Sequence, residues 1–438
     1  MKRERAMRNL SKSITYLAFL VCACAWMAAL PALALDATLH KLAQQEKPLL
    51  LDTLRDLVNI ESGSYDLEGL EQIAAHLTQR FTALGAKVDM IDGNAEATRD
   101  SGSPEKIGRT LRAVFTGKGT KKILLLAHMD TVYRRGMLSG QPFKIDGDRA
   151  YGLGIADNRQ GMALILHTLA MLNAQNFRDY GTLTVLVTGD EEVGSPASRH
   201  ILTRLGAEHD ATLSFEGGGT PQQAILSVAT SGSANATITV RGRAAHSGSA
   251  PHLGINAVDE LAHQILQSRD LSDLKIGLRA NWVLAQGGLV RNMIPPGAQA
   301  TMNIRVLRVQ DLDGIEAKLR ERIKNKLLPQ AQVELNFERG RPPLEAKPAS
   351  LALSAYGARI AADVNYKVKA DDEPRGGGTD AAFAGLKTNN AVVEGFGLQG
   401  FGSHTTNAEY IVIPSIEPRL YLATRMIMDI SSGKAPLK

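Results

Sequence analysis

The sequence predicts an α/β protein, a mostly parallel sheet flanked by helices, with a smaller α+β domain inserted into it. Three observations point there. Between residues 86 and 216, short apolar runs alternate with helical spacings, the pattern of a parallel sheet with helices on its faces. Near Ser231 the pattern changes to strands grouped around two helices. After Arg341-Pro342-Pro343 the first pattern resumes. The expected boundaries are 1–34 for a leader, 35–230 and 342–438 for the two parts of the main domain, and 231–341 for the insertion.

The first segment reads as a targeting signal rather than fold. Lys2, Arg3, Arg5, Arg8 and Lys12 precede an almost wholly apolar run over 14–30, and Ala32-Leu33-Ala34 is an A-x-A site. The alternative is an uncleaved anchor, since the run is nearly long enough to span a bilayer. A lipoprotein reading through Cys22 or Cys24 lacks a small-residue box before either cysteine. Five of the 50 Lys and Arg and one of the 45 Asp and Glu lie in 1–34, which leaves 45 against 44 and no case for nucleic-acid binding. Both cysteines also lie there, so a chain starting at Leu35 has neither disulfides nor a thiol nucleophile. A cysteine-free exported chain suits a bacterial periplasm or exterior.

Taken in order, 48–60 and 67–84 have helical spacing, 86–91 and 111–115 read as strands, and 94–108 is a polar loop. Residues 123–127 form a wholly apolar strand that ends on His128-Met129-Asp130. A turn-rich piece follows, closing on Gly152-Leu153-Gly154-Ile155-Ala156-Asp157, and a helix covers 161–172. The strand 183–187 ends on Asp190-Glu191-Glu192. The next helix spans 195–205 with Ser195 as its expected N-cap, and the strand 211–215 ends on Glu216. Strands at 234–240, 282–285, 298–306 and 333–337, with helices at 256–267 and 311–327, make β-α-β-β-α-β, the split ferredoxin-like unit. A helix over 351–362, a strand over 391–395 and a closing helix over 415–428 complete the chain.

Chemistry collects at the strand ends, where parallel sheets place ligands. Residues two apart lie on one side of an extended chain, so His128 and Asp130 suit an imidazole whose second nitrogen is held by a carboxylate. His128, Asp157, Glu192, Glu216 and His404 offer two imidazoles, three carboxylates and no thiolate, a set for Zn, Mn or Co. Five ligands exceed one open catalytic zinc and fit two metals about 3.5–4 Å apart that share one carboxylate. Glu191, beside Glu192, is the carboxyl left free to move a proton. The glycines at 152 and 154 do not make a dinucleotide loop, and Gly376-Gly377-Gly378-Thr379-Asp380 lacks the P-loop lysine. That turn suits the approach of backbone N–H groups to a ligand carboxylate. Asn292 and Arg341 could clamp the same carboxylate, and His246 is a lone histidine in the insertion.

The stretches His128-Met129-Asp130-Thr131-Val132-Tyr133, Gly154-Ile155-Ala156-Asp157, Asp190-Glu191-Glu192, Gly376-Gly377-Gly378-Thr379-Asp380, His404-Thr405-Thr406 and Ala408-Glu409-Tyr410 together resemble the co-catalytic zinc aminoacylase/carboxypeptidase family. Within it, the chain is most similar to bacterial glutamate carboxypeptidases of the carboxypeptidase G type. The resemblance implies a di-zinc catalytic domain with an inserted dimerisation domain. It implies Asp157 as the bridge, His128 and Glu216 on one metal, Glu192 and His404 on the other, Asp130 orienting His128, and Glu191 as general base and then acid. It further implies His246 reaching across a homodimer to the oxyanion, and Asn292, Arg341, Gly377 and Gly378 at the substrate carboxylate. Two departures stand out. Asn158-Arg159-Gln160 follows the bridge, and 217–230 lacks the lysine by which glutamate-selective relatives meet the glutamate side chain.

The expected function is therefore an exported di-zinc hydrolase that cleaves the amide before a C-terminal amino acid with a free carboxylate. The alternatives are an N-acyl amino acid deacylase and, from another class, a non-catalytic periplasmic binding protein.

Overall fold

A computed structural model describes residues 34–99, 103–374, 376–405 and 408–438. The expected leader lies outside them except for Ala34, as do the middle of the 94–108 loop and Thr406. The central sheet has six strands: β1 (Lys87–Ile91), β2 (Thr110–Thr116), β3 (Lys122–His128), β4 (Thr182–Thr188), β5 (Ala211–Ser214) and β6 (Ala391–Val393). Their order is β1-β2-β4-β3-β5-β6, with β4, β3, β5 and β6 mutually parallel and β2 antiparallel to both its neighbours. Ile123 to Leu126 on β3 are all at most 1% exposed, because the strand is central and covered on both faces. On one face Leu124, Leu126 and Leu186 pack against Ile201, Leu202, Leu205 and Phe383. The helices Ala37–Val58, Gln160–Ala174 and Ile416–Ser431 pack together elsewhere in the fold. Among the described residues no helix is long and apolar enough to cross a membrane.

Three differences from the sequence reading in the main domain bear on the site or its support. The first helix begins at Ala37 rather than 48 and carries Pro48 in its interior. Asp36 caps it by accepting from Leu39 N, and Leu39, Ala43, Leu50 and Leu54 bury one continuous stripe, so packing outweighs the hydrogen bond the proline forfeits. Ser195 is not an N-cap. It sits at φ 55°, and the helix starts at Arg199 after a turn held by Asp190, whose Oδ2 accepts from Ala197 N at 2.7 Å and Ser198 N at 3.1 Å. The turn-rich piece contains a hairpin, Lys144–Asp146 with Arg149–Tyr151, which pairs with Tyr410–Val412. That pairing brings Glu409 beside the 154–157 turn.

The insertion is a four-stranded antiparallel sheet ordered Arg279–Gly287, Gly297–Val306, Gly232–Arg241, Gln332–Arg339. Burial alternates along Gly232–Arg241, as a sheet with one covered face requires. Met302, Ile304 and Ala236 meet Leu312, Ile315 and Leu319 of the helix Val309–Arg322. Ile238, Val240 and Ala300 meet Leu261 of the helix Ala257–Gln267. The second helix stops at Arg322, short of the expected 327, where Gln267 Nε2 donates to Arg322 O.

Candidate metal centre and its surroundings

Parallel register sets β3 and β4 level, with His128 opposite Thr188, and β5 pairs along the other side of β3. The loops leaving these three strands therefore converge. His128 Nε2 lies 2.9 Å from Asp157 Oδ1 and 3.5 Å from Glu216 Oε1. His404 Nε2 lies 3.2 Å from the other oxygen, Asp157 Oδ2, and 3.1 Å from Glu192 Oε2. Each oxygen of Asp157 thus faces one imidazole, and each imidazole faces one further carboxylate. All five sequence candidates meet at one point.

Asp130 organises the surroundings. His128 Nδ1 is 3.3 Å from Asp130 Oδ1 and 3.1 Å from its backbone O. The same carboxylate accepts from Glu191 N at 3.1 Å, Glu192 N at 3.0 Å and the Ser64 hydroxyl at 2.8 Å. One buried acid thereby sets the imidazole against the turn that carries both glutamates.

The charges do not balance within the cluster. Burial pushes the Glu191 carboxyl up to about 8, against the pull of Arg341 and His128. Burial likewise raises Glu216 well above the carboxylate range and raises Glu192, although imidazoles oppose it. Hydrogen bonds to Asp157 and Glu192 raise His404 to about 10. His128 is raised too, because its carboxylate neighbours outweigh its burial. Burial thus raises the three glutamates, while hydrogen bonds from both imidazoles, against its burial, hold the Asp157 carboxyl below the usual carboxylate range. Glu192 Oε1 is buried without a hydrogen-bond partner. Ligand atoms of His128, Asp157 and Glu192 lie within 4.8 Å of one another. The donor set and this orphaned oxygen fit divalent metal.

Several residues escaped the sequence reading. Glu409 is 2% exposed and grips the Asp157 turn: its Oε1 accepts from Ala156 N (2.8 Å) and Asp157 N (3.1 Å), its Oε2 from Gly154 N (2.9 Å) and the Tyr133 hydroxyl (2.5 Å). Burial raises its carboxyl to about 7 against those donors. The Asp157–Asn158 peptide is cis, and Asn158 Nδ2 donates to Glu216 Oε2 at 2.6 Å. Gly161 is required there, since a Cβ would collide with Asn158 Oδ1 and Phe215 O. Arg159 is fully buried and spends its guanidinium on Met129 O, Ile60 O and Ser62 Oγ. Asp380 accepts from Thr188 Oγ1 at 2.6 Å and from Ser195 Oγ. The one signal for Glu409 was its place in a quoted stretch, because its four donors come from segments over 250 residues away.

The residues expected at a substrate carboxylate are divided. Arg341 enters the centre, and its guanidinium binds Glu191 Oε1 and Glu191 O. Gly378 packs on it so closely that a Cβ would lie 2.5 Å from Arg341 Cδ, while Gly377 is exposed with open space around it. His246 and Asn292 are exposed on adjoining loops of the insertion, joined by Ser247 N donating to Asn292 O at 3.0 Å. Among the described residues, neither of their side chains hydrogen-bonds to the cluster.

Residues 124–429 match the model of peptidase family M20/M25/M40, a span that takes in the whole cluster. The chain belongs to that family. This M20 peptidase is 39% identical over 399 residues to carboxypeptidase G2 of Pseudomonas sp. (strain RS-16), covering 91% of the chain and 93% of the relative. It is 28% identical over 326 residues to succinyl-diaminopimelate desuccinylase of Gluconobacter oxydans (strain 621H), covering 70% and 81%. Among solved structures it superposes on aminopeptidase PepT from Bacillus cereus ATCC 10987 with a TM-score of 0.71 at 21% identity, over 88% of this chain and 98% of that one. The M20 peptidase is thus a metal-dependent hydrolase, built as an α/β catalytic domain with an inserted ferredoxin-like domain.

Proposed function

We propose that this M20 peptidase is an exported di-zinc exopeptidase of the glutamate carboxypeptidase kind, cleaving the amide before a C-terminal amino acid with a free carboxylate. The observation that carries the reading is the division of Asp157: one oxygen beside His128 and Glu216, the other beside His404 and Glu192, with Glu191 outside both sets. In this reading those five residues hold the metals, Mn or Co being possible substitutes for Zn. Bound metal would polarise the scissile carbonyl and lower the pKa of the attacking water. Glu191 takes the proton of that water and returns it to the leaving amine. Asp130 fixes the tautomer of His128. Arg341, with Asn292 and the turn at Gly377 and Gly378, receives the substrate carboxylate. The absent lysine in 217–230 removes the contact by which glutamate-selective relatives meet the glutamate side chain, so the preferred C-terminal residue is left to the substrate panel below. Export rests on the basic, apolar and A-x-A succession of the leader.

The insertion is the proposed homodimer contact. Its edge strand Arg279–Gly287 and the loop after it expose Val283 (55%), Leu284 (67%), Leu289 (80%) and Val290 (57%), apolar surface that a second copy would cover. His246, whose side chain among the described residues makes no hydrogen bond to its own cluster, would then serve the partner's oxyanion. His246→Ala is expected to lower kcat by about 10²–10³-fold with metal content and dimer mass unchanged. Full turnover in that variant, by steady-state kinetics, ends the role.

The deciding experiment is a panel of peptidyl and N-acyl amino acids with acidic, aliphatic and aromatic C-terminal residues, assayed before and after chelation. Release of the C-terminal residue from dipeptides, lost on chelation and restored by zinc, is the expected result. Turnover of N-acyl amino acids alone favours the deacylase reading, which the similarity to the desuccinylase supports. Tight binding without turnover in the metal-loaded protein favours a binding protein.

A further inference from the structure

A cleft of about 710 Å³ opens beside Glu192, and Arg341 is not among the residues that line it. Its size suits a small-molecule subsite. Ser64, Tyr65, Val132, Tyr133, Arg134 and Val193 line it. Its wall is built in advance. Ser64 N donates to Thr131 O and Thr131 N to Ser62 O, each at 3.0 Å, and the Ser64 hydroxyl ties the wall to Asp130. Gly63 lies so close to Tyr133 O that no side chain fits between them. Apolar surface is exposed within it, Tyr65 at 72% and Val132 at 43%.

The charges lining the cleft are spent, with one exception. Asp66 is paired with Arg135, whose Nε donates to it at 2.7 Å, and Arg135 also reaches Glu68 at 3.0 Å. Glu192 faces His404. Arg134, the neighbour of Arg135, is exposed and has no carboxylate partner among the described residues. A cleft walled by two tyrosines and two valines, with one guanidinium that has no carboxylate partner among the described residues, selects a ligand with an apolar body and an anionic end.

We infer that this cleft receives the acyl half of the substrate and that Arg134 is a specificity-determining residue, favouring acyl groups that carry a carboxylate of their own. The inference rests on the proposed function. If Arg341 holds the carboxylate of the leaving amino acid, the acyl group lies beyond the scissile amide, and the cleft beside Glu192, which Arg341 does not line, is the space that would take it. A dicarboxylic acyl chain, or a peptide whose penultimate residue is acidic, would then lay its methylenes on Tyr65 and Val132 and its carboxylate on Arg134.

The test compares two substrates that share one C-terminal amino acid, N-succinyl and N-butanoyl, the second lacking only the distal carboxylate. A charge-assisted hydrogen bond at an exposed cation predicts a preference in kcat/KM of about tenfold for the succinyl substrate. The preference should reside in KM. Arg134→Ala should bring the ratio near one, and Arg134→Lys should restore part of it, which a loss of folding would not do. Equal kcat/KM for the two substrates in the wild type, or an unchanged ratio in Arg134→Ala, overturns the inference while leaving the proposed function standing. Hydrolysis of neither substrate, nor of dipeptides ending in the same residue, overturns both.

Discussion

Replacing Glu191 by Gln is expected to lower kcat by about 10²–10⁴-fold, with bound metal at the wild-type level. The amide keeps the shape of the carboxyl and can still accept from Arg341, but it cannot take a proton from water. Glu191 is buried, its N–H is anchored on Asp130, and its carboxyl meets Arg341 rather than either imidazole. Geometry therefore separates it from Glu192, whose Oε2 stands 3.1 Å from His404. Elemental analysis of the purified variant, run beside steady-state kinetics, distinguishes the two roles. Metal lost in step with activity would make Glu191 a ligand and leave the proton without a carrier. Glu192→Gln provides the contrast, because it should lose metal as well as turnover.

The adjacency of these two glutamates shows why the centre was legible in the sequence. Asp130, Glu191, Glu192 and Glu216 each follow an apolar run too short for a helix, and a parallel sheet puts the ends of such runs together. His128, Glu192 and Glu216 need only strand order to meet, and β3 between β4 and β5 supplies it. Glu409 was not legible in this way. Its role depends on a hairpin, 144–151, pairing with a strand some 260 residues later, and neither short, half-exposed strand has a period to read. The same limit hid Asn158. Its side chain looked like a departure after the bridge, whereas in space it steadies Glu216.

Local rules failed where tertiary packing overrode them. Pro48 marks a helix start by propensity, yet the buried stripe from Leu39 to Leu54 carries the helix through it. Ser195 has the right chemistry for a cap, but its hydroxyl is committed to Asp380 and the capping falls to Asp190. The misses at Ser195, Asn158 and Glu409 each involve a polar group whose partner is distant in sequence. The strands that carry His128, Glu192 and Glu216 are apolar runs, whose burial needs no particular partner.

Arg341 combines both lessons, and its replacement carries the second large effect. Arg341→Met should lower kcat/KM for substrates with a free C-terminal carboxylate by roughly 10–100-fold, the worth of a hydrogen bond between charged groups. It should also move the acid limb of the kcat profile to higher pH. The sign follows from the pair. Burial raises the Glu191 carboxyl, and the guanidinium beside it opposes that rise. Glu191 acts as a base only when ionised, so removing the cation keeps it protonated to higher pH and costs activity on the acid side. Arg341→Lys keeps the charge without the two-pronged contact to Glu191 Oε1 and O, and should hold the acid limb near its wild-type position while KM stays high. A raised KM with an unmoved limb in Arg341→Met would confine Arg341 to substrate binding. A moved limb with unchanged KM would make it a positioning residue for Glu191. If both change, the same guanidinium that steadies the base also reads the substrate, so arrival of a carboxylate at Arg341 would loosen its hold on Glu191 as the base is needed.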